Sequence, residues 1–455
     1  MEFLQGETGA YAFWGISLAF FAVLFYLGRV LKLALWLRVI IALLAGGFAG
    51  FVLGDTASVV KPIGDLFVKL IRMLIVPLVF TTLVAGVIAM GDPKRLGSLG
   101  AKTLTLYILT TVFAVCIGLG FGTVIKPGIG VEYTAATAED VASISDRIEI
   151  AEKVAGKDQS GWATFGDKIL DIVPSNPIAA FASGDILPII FFAILFGIGI
   201  ISAGDRTKGL SDVMEGAAEA ILQVTKFVME LAPYGVYALM AWVIGEKGLG
   251  VLENLGKLAF ALYAACFVHM IVVYGGLIRL LNKLPITKFY GGIVDAMATA
   301  FSTSSSSATL PVTISNVTKN LGVRREVAGS VLPLGATINM DGTSIYLGLV
   351  ALFAAQALGI ELGAAEYVAI AATATLASIG AAGIPSAGLF LAYTVMGTFG
   401  VTEEQGILII AFIFPFDRLL DMMRTVTNIA GDSAVAVTVA NWEGALDKDV
   451  FRGDA

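Results

Sequence analysis

The sequence predicts an all-α membrane protein with many spans, and three observations carry this. Mean hydropathy is +0.87 over 455 residues, and only 14% of residues are charged. Apolar segments near the length of a bilayer-crossing helix, about 20 residues, recur from end to end. The polar residues inside those segments gather at a few places instead of scattering. A formal net charge of −7 gives no reason to expect a nucleic-acid partner. The two cysteines, Cys116 and Cys266, both lie in apolar stretches, so neither a disulfide framework nor a cysteine metal site is expected.

The first apolar stretch, 11–28, is longer than a signal-peptide core and has no basic flank before it, since Glu2 and Glu7 precede it. It reads as a retained helix. Full spans follow at 37–54, 67–91, 103–126, 184–204, 222–245, 256–282, 327–359 and 405–441. The only extended polar part, 131–168, reads as an external loop with a short helix. Two further apolar stretches, 290–318 and 364–399, are interrupted by small polar residues, glycine and proline.

Lysine and arginine in the short loops set the orientation. The basic groups are Arg29, Lys32 and Arg38; Lys94, Arg95 and Lys102; Arg206 and Lys208; Arg279, Lys283 and Lys288; Lys319, Arg324 and Arg325; and Lys448 and Arg452. All face the cytoplasm only if 290–318 enters and leaves on that side. The stretch 364–399, flanked by Glu361, Glu366, Glu403 and Glu404, must then enter and leave on the other. The charge rule thus turns both interrupted stretches into re-entrant hairpins. Lys69 and Arg72, at the start of a span, can snorkel.

Four constellations could carry chemistry. Ser302–Pro311, "STSSSSATLP", interrupts the first hairpin. Backbone that leaves regular helix at membrane depth must be buried in protein or line a polar cavity. Hydroxyls and free N–H groups there suit a carboxylate. Ser378–Gly388, "SIGAAGIPSAG", breaks the second hairpin with glycines and a proline. Gly335–Thr343, "GATINMDGT", places Asn339 and Asp341 in mid-span, where an unwound segment plus a carboxylate makes a hard oxygen site for an alkali cation. In the last span, Asp417, Asp421, Arg424, Asn428 and Asp432 fall within an arc of roughly 80° when wound as a helix. Thr425 lies beside that stripe and Arg418 off it. A polar stripe on an apolar helix must face the protein interior or a wet cavity. An internal ion-pair network such as Asp421 with Arg424 is the plainer reading, yet it leaves Asn428 and Asp432 unexplained. His269, the only histidine, could relay protons; a packed or hydrogen-bonded helix residue is the favoured reading.

Each hairpin precedes a helix with a polar interruption, the pattern of inverted repeats in secondary transporters, with the site at the midplane. An intramembrane serine hydrolase built on Ser302–Ser307 would need an activating base in reach. His269 stands alone and the lysines are peripheral.

At these residues the chain resembles the dicarboxylate/amino acid:cation symporters, the family of archaeal aspartate transporters and animal excitatory amino acid transporters. "SSSSATLPVT", "LGATINMDGT", "ASIGAAGIPSAG" and "DMMRTVTNIAGD" look like its four signature regions in family order, and the similarity runs from about Leu37 to Trp442. The resemblance implies a homotrimer working by an elevator mechanism in the cell membrane, multi-pass. It divides the chain into an extra apolar helix (1–32), scaffold helices (33–91), a transport-domain helix (92–130), polar loop plus scaffold helices (131–254), the rest of the transport domain (255–441) and a cytoplasmic tail (442–455).

The resemblance also implies roles. Arg424 resembles the arginine that clamps an acidic substrate's side-chain carboxylate, and Asp421 the group that takes its amino nitrogen. Asn428 and the main chain around Ser304, Ser305 and Ser306 would hold the α-carboxylate. Thr343 and Thr425 would add contacts, and Ile384 and Gly388 would close the outer hairpin. Three sodium sites are implied. One joins Asp432 to carbonyls of Gly335, Asn339 and Asn428. Another joins Asp341 and Asn339 to Tyr107, Thr110 and Thr111. The third uses carbonyls near Thr337, Ser378, Ile379 and Ala381. An arginine that archaeal members carry at the place of Ser304, and animal members at the place of Met422, stands at neither position here. Leu347 replaces the glutamate that serves proton and potassium coupling in animal members, so potassium counter-transport by that route is not expected. The function implied is sodium-driven uptake of L-aspartate or L-glutamate. The alternative is proton-coupled uptake or a C4-dicarboxylate substrate, and a substrate-gated anion conductance can accompany either.

Overall fold

A computed structural model describes residues 7–89, 93–131, 173–183, 186–379 and 387–453. Its named elements there are all helical; the only β pairing among the described residues is an isolated bridge between Val323 and Leu446. The first half comprises α1 (Glu7–Arg29), α2 (Leu35–Leu53), α3 (Lys61–Ala89), α4 (Pro93–Ile125), α5 (Pro177–Ser183), α6 (Ile186–Ala203), α7 (Lys208–Met229) and α8 (Ala232–Lys247). The second begins with α9 (Gly250–His269), which runs on through two π-helical turns, Met270–Tyr274 and Leu277–Leu281. Then come α10 (Ile286–Gly292), α11 (Val294–Thr303), α12 (Ser306–Lys319), α13 (Arg325–Ile338), α14 (Asp341–Ala357), α15 (Ala364–Ile379), α16 (Ala387–Gly397), α17 (Glu403–Trp442) and α18 (Lys448–Arg452).

The helices pack in two groups. In the first, α8 lies along α2 and against α3, while α3 also meets α6 and α7. The α2–α8 contact is close because Gly46 and Gly50 present no side chain. A Cβ on Gly46 would run into the Tyr237 carbonyl oxygen, and one on Gly50 into that of Ala241. Small residues at such crossings let backbones touch where no hydrophobic drive separates helix from lipid. Gly50→Ala is therefore expected to lower stability by about 1–3 kcal/mol, the range for overpacking. The readout is the melting temperature in detergent, with Gly120→Ala, which meets open space, as the neutral control.

In the second group α4 leaves its chain neighbours and packs on α14 and α9. Gly118 and Gly122 of α4, one turn apart, sit against Ile345 and Leu352 of α14. Helix α17 contacts α9, α11, α13, α14 and α16. Between Ile409 and Ala440 every residue of α17 is buried except the half-buried Phe416 and Leu419. This is why a helix with so many charges is tolerated: its neighbours are protein, not lipid.

Among the described residues, four helices are long and apolar enough to cross a membrane, or five if a bent pair counts as one span. That is fewer than the nine expected spans. Charged α17 was expected to span and does not meet that measure of apolar length. The expected span 222–245 is also corrected. Helix α7 ends at Met229, α8 starts at Ala232, and the axes bend by 49°. The cause is Pro233 in the first turn of α8, which has no N–H to continue α7 and is tolerated only at a helix start. The expected loop 131–168 lies almost wholly outside the described residues.

Candidate functional site

Between α11 and α12 the chain turns at Ser304, which adopts a left-handed φ of 51°. Ser305 is the N-cap of α12, its Oγ accepting from Ala308 N at 3.2 Å. Ser304, Ser305 and Ser306 are all buried, and Ser304 Oγ has no partner among the described residues. The interrupted backbone and buried hydroxyls are thus in place where the serine run predicted a loop.

On α17 the stripe closes on itself. Arg424 is fully buried, and its Nη2 donates to Asp421 Oδ1 at 2.7 Å and to Asp417 Oδ1 at 3.0 Å. Its guanidinium carbon lies 3.9 Å from the centre of the Tyr346 ring, a cation–π contact. Nε and Nη1 of Arg424 have no partner among the described residues. A Cβ built on Gly388 of α16 would come within 2.9 Å of that Nη1 and 3.0 Å of Thr343. So Asp421, Arg424, Thr343 and Gly388 meet at one place, as does Tyr346. Thr425 Oγ1 donates to the Asp421 carbonyl at 2.9 Å, within its own helix. Asp417, which had no assigned partner, holds Arg424.

Helix α13 ends at Ile338 and α14 begins at Asp341, so Asn339 and Met340 form a two-residue break. Asn428 spans it: its Oδ1 accepts from Gly342 N at 2.7 Å, and its Nδ2 lies 3.2 Å from Met340 Sδ. A Cβ on Gly342 would strike the Arg424 carbonyl oxygen, so the break rests directly on α17. Asn339 Nδ2 donates to Asp432 Oδ1 at 3.0 Å, and Thr110 Oγ1 lies 3.3 Å from Asn339 Oδ1. Thr111 Oγ1 donates to Asp341 Oδ1 at 2.7 Å. Gly335 leaves room for Tyr107 and Asp432: a Cβ there would meet Tyr107 OH and Asp432 Oδ1. Tyr107 OH itself donates to the Val331 carbonyl at 2.9 Å. Two buried carboxylates thus gather these residues: Asp432 with Asn339, Thr110, Gly335 and Tyr107, and Asp341, two residues after Asn339, with Thr111.

Other candidates fall apart from these. Thr337 and Ser378 bond back to Leu334 O and Thr375 O at 2.9 and 2.8 Å, with no hydrogen bond between them among the described residues. Ile379 closes α15 half-buried. Ala381 and Ile384 lie outside the described residues.

Two residues join that the sequence did not place. His269 Nε2 stands 3.2 Å from Asp341 Oδ2, and Tyr274 OH donates to the same oxygen at 2.7 Å. Five residues apart, the two would diverge on an α-helix; the π turn Met270–Tyr274 between them brings both to one face. His269 is thus hydrogen-bonded, as favoured, and bonds Asp341 instead of activating a serine. Arg418, expected to point away, is buried and donates through Nη2 to the Thr303 carbonyl at 3.3 Å.

A model of the sodium:dicarboxylate symporter family matches residues 35–442. The chain is similar to the C4-dicarboxylate transport protein of Laribacter hongkongensis, 34% identical over 94% of this chain and 93% of that one. It is also similar to proton/sodium-glutamate symport proteins. That of Geobacillus stearothermophilus is 33% identical over 92% of this chain and 96% of its own length. That of Bacillus subtilis is 34% identical over 92% and 94%.

Proposed function

The chain belongs to the sodium:dicarboxylate symporter family, a membrane transporter and not an enzyme, and from that premise we propose that it is a sodium-coupled symporter of acidic amino acids, L-aspartate or L-glutamate. One observation carries this reading. A fully buried arginine with two unused nitrogens faces Gly388 and Thr343, and two buried carboxylates meet the adjoining helix break. A guanidinium grips a carboxylate through paired charge-assisted bonds. Asp421, freed from Arg424 when a carboxylate arrives, is left to accept the substrate's ammonium. Asn428, Thr425 and the serine loop at Ser304–Ser306 flank that position.

The sodium ions are cargo. Asp432 with Asn339 and the Gly335 region makes one oxygen set, and Asp341 with Thr110, Thr111 and Tyr107 a second. A third, at Thr337, Ser378, Ile379 and Ala381, forms when the α15–α16 hairpin closes. The helix grouping supports a division in which 33–91 and 131–254 form a scaffold, while 92–130 and 255–441 move as an elevator. By family resemblance, the protomers assemble as a homotrimer in the lipid of the cell membrane. The break at Ser304 supports the 290–318 re-entrant hairpin, and the packing of α15 against α16 supports the 364–399 one.

A second reading, coupling to protons or a C4-dicarboxylate substrate, is favoured by the names of the relatives. Purified protein in liposomes is expected to accumulate labelled aspartate under an imposed sodium gradient and not under a proton gradient alone. Accumulation driven by protons without sodium would select the second reading. Uptake of neither labelled aspartate, labelled glutamate nor labelled succinate under either gradient would refute both.

A further inference from the structure

Arg418 has no part in the reading above, yet it is 7% exposed and lies one residue outside the α17 stripe. Its guanidinium meets a different element from that of Arg424. Arg424 faces Gly388 of α16, whereas Arg418 faces Thr303, the last residue of α11 and the start of the serine turn. The single bond to the Thr303 carbonyl is long, at 3.3 Å, and goes to a neutral acceptor. Nε and Nη1 are buried with no partner, and so is Ser304 Oγ in the next residue. No carboxylate stands within ion-pair distance of Arg418 among the described residues, and Asp417 and Asp421 each give an oxygen to Arg424.

A buried cation with unused donors is costly unless an anion completes it. Arg424, beside Gly388, likewise has two unused nitrogens. The two guanidinia, six residues apart on one helix, face two different hairpin elements, α11 and α16, which suits a short molecule with a carboxylate at each end.

Building on the acidic-substrate reading, we propose that Arg418 is a specificity-determining residue: with Ser304 Oγ it takes the substrate carboxylate that Arg424 does not hold. The site then selects for two carboxylates, one per arginine, with the amino group a separate matter for Asp421.

Amide analogues separate the two ends. In sodium-containing buffer, calorimetry would give dissociation constants of the purified full chain for L-aspartate, its α-amide (L-isoasparagine), its side-chain amide (L-asparagine), succinate and succinamate. The wild type is expected to prefer aspartate to both amides. Arg418→Gln should weaken aspartate about tenfold or more, the scale of one charge-assisted hydrogen bond. It should leave isoasparagine nearly unchanged, erasing the α-amide discrimination while keeping that against asparagine. Arg418→Lys should restore part of it. Each ratio is read within one protein, so a stability loss common to all ligands does not mimic the result, and Arg418→Lys carries the same ratios if Arg418→Gln does not fold. Equal weakening of all ligands, or none, overturns the assignment. If the wild type binds succinate but no aspartate, the amino acid reading fails, while loss of succinate over succinamate in Arg418→Gln still supports Arg418. Binding of none of the five by the wild type overturns both.

Discussion

Arg424→Ala combined with Asp417→Asn is expected to abolish saturable binding of aspartate and glutamate while the protein remains folded. The double change matters. Arg424 neutralises Asp417 and Asp421 at 3.0 and 2.7 Å inside a buried cluster. Removing it alone strands two carboxylates, and breaking a buried pair typically destabilises by about 3–5 kcal/mol. Making Asp417 an amide removes one of those charges, and Asp421 keeps its place on the helix. Ligand binding has no such remedy. Hydrogen bonds to charged groups contribute about 1.5–3 kcal/mol each, so losing two raises the dissociation constant on the order of a hundredfold or more. Calorimetry with sodium present reads this directly, and the melting temperature guards against unfolding. Aspartate affinity within threefold of wild type would remove Arg424 from the binding site.

Asp341→Asn should have the second largest effect, on the cation rather than the acid. Three side chains converge on this carboxylate: Thr111 on one oxygen, Tyr274 and His269 on the other. They fix its rotamer. Loss of an outer-shell partner of a metal ligand commonly weakens binding about 10–100-fold, and loss of the ligand's own charge should exceed that. An amide also turns an acceptor into a donor that faces another donor. Sodium titrations of aspartate binding should therefore show the half-saturating concentration rising beyond the range in which wild type saturates. Asp55→Asn, at an exposed carboxylate, should change nothing. An unshifted sodium titration in Asp341→Asn would exclude this carboxylate as a cation ligand.

What could be read in advance depended on spacing along one helix. Residues at intervals of three and four put Asp417, Asp421, Arg424, Asn428 and Asp432 on one stripe. The structure shows the first three bonded together, with Asn428 at the helix break. The polar break at Asn339–Met340 was legible for a similar reason, because two side chains there cannot face lipid. Contacts between distant elements were not legible. Nothing local to His269 announces Asp341, 72 residues on, and Tyr274 looked like one more aromatic in an apolar run. Their convergence needs the π turn, which hydropathy does not record. Arg418 lies off the stripe as read, but its partner was not legible, because helical winding says which way a side chain leaves its own axis, not which loop waits there. The bend at Pro233 was missed because composition on both sides of it is apolar enough to be taken for one span.

That π turn also gives residue count, apart from residue identity, a say in the site. Met270–Tyr274 is one residue over-full for an α-helix, and its wider winding sets the phase of everything that follows. Deleting one residue such as Val272 would leave every named ligand in the chain. His269 and Tyr274 would then stand four residues apart, the spacing that shares one face of a regular α-helix, so the deletion is expected to remove the π turn and keep both side chains on Asp341. A single-codon deletion inside this turn is thus expected to be absorbed, whereas one in the regular helix before it would rotate the residues on its two sides relative to each other by about 100°.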